Sequence, residues 1–270
     1  MKIGIIADLH IDINYNKGSD VLRELIKVVN KDHLAYLIRA GDISDNDETT
    51  LEIREKLNYN SSAYILFVPG NHDLWNKKHP TKKPEEIYRK LQCNPGNLCL
   101  NPYSINEEWV IIGDIGWYDY SFGSDRFTEE DYIKGRYRGR VWKDTLFVPW
   151  NKEAKQIHQY FCKKIKKQIQ SNKNKNIILV THFVPHEYFL VPEERDSWVF
   201  FNAYLGSPDY ARLALDYNVK YSIFGHIHHK VNQSIKGTEF IGNSLGYVNQ
   251  WNTPEDTYSE INKSLVTLKI

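Results

Sequence analysis

Five short apolar runs, each breaking off at a residue type able to bind a metal, constrain this chain more than any other feature. They are Ile3–Ala7, Leu34–Ala40, Ala63–Val68, Ile177–Val180 and Tyr221–Phe224. Each has strand length and little polar alternation, the pattern of a strand buried on both faces. Asp8-Leu9-His10 follows the first run and Gly41-Asp42 the second. Gly70-Asn71-His72-Asp73 follows the third, Thr181-His182 the fourth and Gly225-His226-Ile227-His228 the fifth. Ligands of open α/β sheets bind beyond the carboxyl ends of the strands, so these runs would deliver their polar residues to one edge.

The stretches between the runs read as helices. Asp20–Asn30 places Val21, Leu22, Leu25, Ile26 and Val29 at helical spacing behind Ser19 as the expected cap. Thr49–Leu57, Pro84–Leu91, Asn151–Gln170 and Pro208–Tyr217 follow the same logic. Strands alternating with helices predict an α/β fold with a largely parallel central sheet. From His229 onward the short pieces around Lys236-Gly237 and Thr253-Pro254 read as a meander in a second sheet. Residues Trp117–Trp150 fit no alternating pattern and read as an aromatic-rich insert or cap within one unit spanning residues 1–270.

Taken singly, each polar residue has an ordinary explanation. An Asp after a strand caps a helix or forms a turn, Asn71 after Gly70 is turn chemistry, and a lone His is usually a hydrogen-bonded loop residue. Jointly those explanations fail, because five of the ten histidines fall at the strand ends. Convergent imidazoles and carboxylates at one end of a sheet are the signature of a metal or catalytic site. Mixed carboxylate, amide and imidazole donors suit divalent Mn, Fe, Zn, Ni or Co. Asp8, His10, Asp42, Asn71, His182, His226 and His228 are too many for one ion but suit two ions sharing a carboxylate. Two metals ~3.5–4 Å apart can hold a bridging hydroxide and clamp a phosphate undergoing in-line displacement.

The ordered blocks Asp8-x-His10, Gly41-Asp42, Gly70-Asn71-His72-Asp73, His182 and Gly225-His226-x-His228 resemble the calcineurin-like metallophosphoesterase superfamily. That resemblance implies a four-layer αββα sandwich with two mixed sheets. It also implies that Asp8, His10 and His228 hold one metal, that Asn71, His182 and His226 hold the other, and that Asp42 bridges them. His72 would contact the substrate phosphate and protonate the leaving oxygen. Asp42 is followed by Ile43-Ser44-Asp45-Asn46 and His72 by Asp73, which departs from the protein Ser/Thr phosphatase pattern and looks more like small bacterial phosphodiesterases.

The expected substrate is a small phosphate ester, most readily a diester, with nucleic acid the less favoured partner and a metal-free scaffold the least. Lys plus Arg number 35 against 34 Asp plus Glu, a net charge of +1 that gives no sign of a polyanion-binding surface. Aromatics from Trp117 to Trp150 alternate with Arg126, Arg136, Arg138 and Arg140, so Arg136 and Arg138 join Asn71 and His72 as candidate substrate contacts. The plainer role for most of those rings is packing. Gly242-Asn243-Ser244-Leu245-Gly246 matches a nucleophile elbow, but no histidine follows His229, so it reads as a glycine-rich turn near the metal site. Cys93, Cys99 and Cys162 are too few for a disulfide framework and suit a reducing compartment, with a Cys93–Cys99 bridge the alternative. No export signal or membrane-length apolar stretch is present, which leads us to expect a cytoplasmic protein that does not use a membrane; oligomeric state is not legible.

Overall fold

A computed structural model describes residues 1–195 and 197–270. In chain order the strands are β1 (Lys2–Ile6), β2 (Tyr36–Ala40), β3 (Tyr64–Val68), β4 (Tyr103–Ser104), β5 (Trp109–Gly113), β6 (Arg136–Tyr137), β7 (Arg140–Val141), β8 (Asn176–Val180), β9 (Tyr221–Phe224), β10 (Lys230–Ile235), β11 (Thr238–Asn243) and β12 (Val266–Lys269). They form two mixed sheets, β12-β1-β2-β3 and β10-β11-β9-β8-β5-β4, plus the small hairpin β6-β7. The five apolar runs are therefore divided, three in the first sheet and two in the second, where β5 joins them as a sixth buried strand.

Burial explains the division. In β1, β2 and β3 every residue after the first is buried, because each strand is covered on both sides. Ile5, Ile38, Leu66 and Val68 on one face share a core with Ile112, Ile178, Val180 and Ile223 of the second sheet. Ile6, Leu37, Ile65 and Phe67 on the other face pack beneath Leu25, Val28, Ile53 and Leu57 of helices Val21–Lys31 and Asp47–Asn60. Helix Ala154–Ser171 adds Ile157, Phe161, Ile165 and Ile169 to the core of the second sheet. The architecture is the four-layer sandwich with helices outside.

Two sequence expectations are corrected. The cap of helix Val21–Lys31 is Asp20, whose carboxylate accepts the Arg23 N–H at 3.1 Å, rather than Ser19. The C-terminal segment is not a meander confined to the second sheet. β10 and β11 do form a hairpin there, turning at Lys236-Gly237 with both residues at positive φ, and β11 runs parallel to β9. The chain then forms helix Thr257–Ser264 and returns to the first sheet as β12, antiparallel to β1. That helix, TYSEINKS, buries Ile261 as its only large apolar side chain, too weak a periodic signal to be read from sequence.

Within the insert, Thr128 and Asp131 make a capping box for helix Glu129–Lys134, the β6-β7 hairpin turns at Arg138-Gly139, and helix Asp144–Phe147 follows. Tyr132, Tyr204 and Phe200 pack as one aromatic cluster, and the Tyr204 hydroxyl donates to the Tyr132 carbonyl at 2.6 Å. Among the described residues no helix is long and apolar enough to cross a membrane. All three cysteines are free.

The loops that end β2 and β3 are tied by one side chain. The buried Asp73 carboxylate accepts the N–H groups of Gly70 at 2.7 Å, Ile43 at 3.1 Å and Ser44 at 3.2 Å, as well as the Thr50 hydroxyl. Arg39, the one charged residue in β2, lies fully buried over the Phe67 ring. Burial brings its pKa down to about 9, against the opposing pull of Asp73. Asp73→Ala would strand these donors and remove that countercharge. It should cost about 3 kcal/mol, because unpaired buried donors pay full desolvation, and the midpoint of urea unfolding measures it. An unchanged midpoint would show that the loops hold without this tie.

Candidate metal centre

The loops after β1, β2, β3, β8 and β9 meet where the two sheets abut. Asp8, His10, Asp42, His226 and His228 all have positive φ, between 40° and 75°. Such backbone is uncommon for non-glycine residues and concentrates at functional sites, where the surroundings enforce it. Two glycines permit the crowding. A Cβ on Gly41, itself at φ +90°, would lie 2.3 Å from His182 Nδ1, and one on Gly70 would lie 2.1 Å from Asp42 Oδ1.

Three of the expected ligands, Asp8, His10 and His228, form one group of donors, and Asp42, His182 and His226 form another. His10 Nε2 lies 3.0 Å from His228 Nε2 and 3.7 Å from Asp42 Oδ2. Asp42 Oδ1 lies 3.4 Å from His182 Nε2, so the carboxylate has one oxygen toward each group. Asn71 Oδ1 lies 2.9 Å from His182 Nε2, and His226 Nδ1 lies 3.2 Å from it.

Hydrogen bonding at the far side of each ring decides what these contacts are. His182 Nδ1 donates to the Ala40 carbonyl at 2.9 Å, which leaves Nε2 a bare lone pair. His228 Nδ1 faces Gln250 Oε1 at 2.9 Å, an oxygen already accepting the Tyr247 N–H, so its Nε2 is likewise bare. Asn71 gives its amide N–H to Asp144 Oδ1 at 2.8 Å and so presents its oxygen. With His182 neutral, lone pairs of His182, Asn71 and Asp42 thus converge, and either a second proton or a cation lies among them. A divalent cation satisfies all three, and the buried, unpartnered His226 Nε2 and His10 Nδ1 add to the polar demand. The residues fit a metal.

Electrostatics points the same way. Burial, then neighbouring His72, holds the His10 pKa well below its usual value, and burial with His182 does the same for His226. Both stay neutral, as ligands must. Burial opposes charge on His182, but Asp42 outweighs it and raises that pKa to about 9, so without a cation a proton on Nε2 takes the place a metal would fill. Asp8 is raised by burial, although it accepts the Ser244 hydroxyl and the His226 N–H.

His72 stands beside these groups and is built differently. Its Nδ1 is 2.6 Å from Asp45 Oδ1 and its ring stacks on Trp75 at 3.6 Å. Its Nε2 is 3.9 Å from Asp42 Oδ2. Burial disfavours its charged form, yet Asp42 and then Asp45 prevail and raise its pKa.

The centre opens into a cavity of about 540 Å³, within the usual range of ligand sites. Trp142, Lys143 and Asp144 of the insert line it, with Trp75, Lys77, Lys17 and Tyr247. Arg136 and Arg138 lie exposed on the adjoining hairpin and are not among the lining residues. Sequence reasoning missed Asp45, Asp144, Gln250 and the lysines. Asp45 and Asp144 carry no motif of their own, since their partners lie 27 and 73 residues away. Ser244, read as part of a turn close to the site, is there with its hydroxyl on Asp8.

Residues 1–230 match the family model described as calcineurin-like phosphoesterase. The chain belongs to that family. It is a phosphoesterase, an enzyme that hydrolyses phosphate esters, and the family's use of divalent metals accords with the donor groups above. The chain is similar to the acyl-carrier-protein phosphodiesterase PptH of Mycobacterium tuberculosis, 26% identical over 241 residues that cover 80% of this chain and 70% of that one. In fold it is similar to the crystal structure of phosphopantetheinyl hydrolase PptH from the same organism, with a TM-score of 0.76, 19% identity and coverage of 99% and 95% of the two chains. A dimetal phosphatase from Danio rerio shares the fold at a TM-score of 0.54 and 16% identity, with 90% and 86% covered.

Asp144 fixes the Asn71 amide while also accepting Trp75 Nε1 at 2.9 Å and Trp142 Nε1 at 3.0 Å. Asp144→Ala should free that amide to turn and weaken binding of one cation by roughly 10–100-fold, the usual effect of losing such a support. Competition titration with a chromogenic chelator measures it. Unaltered affinity would detach Asp144 from the centre.

Proposed function

We propose that the chain is a two-metal phosphodiesterase in which Asp8, His10 and His228 hold one divalent cation, Asn71, His182 and His226 hold a second, and Asp42 bridges them. The observation that carries this reading is the Asp42 carboxylate, with Oδ2 at 3.7 Å from His10 and Oδ1 at 3.4 Å from His182. The donor set suits Mn, Fe, Zn, Ni or Co. When bound, the cations would polarise the phosphoryl oxygens and activate water for in-line attack.

The protein groups supply the rest. His72, held by Asp45 with a raised pKa, carries a proton on Nε2 toward the cavity and gives it to the leaving oxygen. Trp75 behind the ring prevents it from turning away. Lys17, Lys77 and Lys143 at the cavity attract an anionic ester, and Asn71 orients it. Trp142, whose ring lies 5.7 Å from that of His226, closes the opposite wall. In this reading residues 1–270 form one phosphoesterase unit, residues 117–150 cap the centre, and Arg136 and Arg138 meet the outer part of the substrate. The similarity to a curated acyl-carrier-protein phosphodiesterase favours a diester with one large, carrier-borne side. Three free cysteines suit a reducing, cytoplasmic setting.

Anomalous scattering should place two cations at this centre. Asp42→Ala should lose both of these, because each depends on that carboxylate. One cation with Asp42 unligated would overturn the bridge.

His72→Ala should keep the metals and lower kcat about 10²–10⁴-fold for an alkyl leaving group. A nitrophenyl diester needs less protonation and should lose much less. Equal losses for both substrates would leave His72 only a binding role.

A further inference from the structure

A second cluster of metal-binding side chains lies on elements that give nothing to the first centre. His158 and Cys162 are four apart on helix Ala154–Ser171 and therefore share one face. Asp209, at the start of helix Pro208–Asp216, faces them, and ligand atoms of the three lie within 4.8 Å of one another. Asp119, from the beginning of the insert, brings Oδ2 to 3.7 Å from His158 Nε2.

The tautomer of His158 gives the cluster its meaning. The ring is buried, 3% exposed. Its Nδ1 lies 3.2 Å from the Trp117 carbonyl and 3.0 Å from the Tyr210 hydroxyl. That hydroxyl already donates its proton to the Trp117 carbonyl at 2.9 Å and accepts the Trp117 N–H at 2.7 Å. Both neighbours of Nδ1 are therefore acceptors, and Nδ1 carries the hydrogen. In neutral His158 the Nε2 lone pair then faces Asp209 Oδ2 at 3.1 Å and Asp119 Oδ2 at 3.7 Å, three electron-rich atoms together. Either a second proton or a cation must lie among them. The Cys162 sulfur on the same face favours the cation, because it completes a soft donor set.

We propose that His158, Cys162, Asp209 and Asp119 form a structural site for a zinc-like divalent cation. Donor atoms around a tetrahedral zinc with bonds of ~2.0–2.3 Å lie ~3.3–3.8 Å apart, and His158 Nε2 lies 3.1 and 3.7 Å from the two carboxylates with the Cys162 sulfur within 4.8 Å. Arg212 occupies the other oxygen of Asp209 at 2.6 Å, and the Ser121 N–H donates to the other oxygen of Asp119 at 3.0 Å, so both carboxylates are oriented from behind. Burial, with Asp209 and Asp119, pushes the free Cys162 thiol up to about 12. The cation would offset those negative charges and displace the thiol proton to solvent, leaving a thiolate ligand. The site would pin two helices to the root of the insert, at Asp119.

Cobalt(II) titration of the chelator-stripped full chain tests this. The donors of the first centre include no sulfur, so a thiolate-to-cobalt charge-transfer absorption reports on a cysteine site alone. One equivalent of that absorption should appear in the wild type and vanish in Cys162→Ser. No absorption would mean that His158 is an imidazolium held by its carboxylates, and absorption retained in Cys162→Ser would assign it to Cys93 or Cys99. Either result overturns the proposal. If Cys162→Ser does not fold, alkylation of the wild type decides. Zinc should slow modification of Cys162 by roughly tenfold or more, since a bound thiolate is a poor nucleophile, and an unchanged rate would overturn the site.

Discussion

Electron-rich atoms that face one another and call for positive charge between them are the constraint around which this molecule is arranged. His182, Asn71 and Asp42 direct donor-set atoms at one point, and the ring nitrogens of His10 and His228 meet at another. In a buried, low-dielectric place such an arrangement is unfavourable on its own. It persists because three loops carrying five residues in left-handed backbone are held by strands that are themselves buried on both faces. A divalent cation converts the same repulsion into coordination. The rigidity of the sandwich and the affinity for metal are thus two aspects of one design.

Around the centre lies a ring of orienting groups that fix which atom each ligand presents. The Ala40 carbonyl and Gln250 set the tautomers of His182 and His228. Asp144 turns the Asn71 amide, Ser244 and the His226 N–H secure Asp8, and Asp45 aims His72. Asp73 acts one step farther out, binding the two loops that carry Asp42 and Asn71. Losing such groups alters metal affinity or proton transfer without removing a ligand.

The aromatic insert links the two halves of this logic. Most of its rings pack: Trp117 and Tyr118 are buried and stack at 5.1 Å, and Tyr120 lies 5.7 Å from Tyr132. Only its later part, Val141 to Asp144, lines the cavity. The packed rings hold that short segment in place, so the wall facing a substrate is a rigid one.

By itself the sequence determined the strands, the ligand-bearing loops and the kind of chemistry. Those features are local: a buried strand must be continuously apolar, and a loop beyond it can carry donors without disturbing the core. Asp8, His10, Asp42, Asn71, His182, His226 and His228 were legible as candidate donors because each follows such a run. The cap at Asp20, the helix Thr257–Ser264 and the return of β12 to the first sheet were not, since weak periodicity leaves those outcomes to tertiary packing. Only the folded chain decided that Asp45 meets His72, that Asp144 meets Asn71 and that Asp119 and Asp209 meet His158. These are contacts between single side chains far apart in sequence. No spacing rule encodes them, because they exist only once two sheets and their helices have packed.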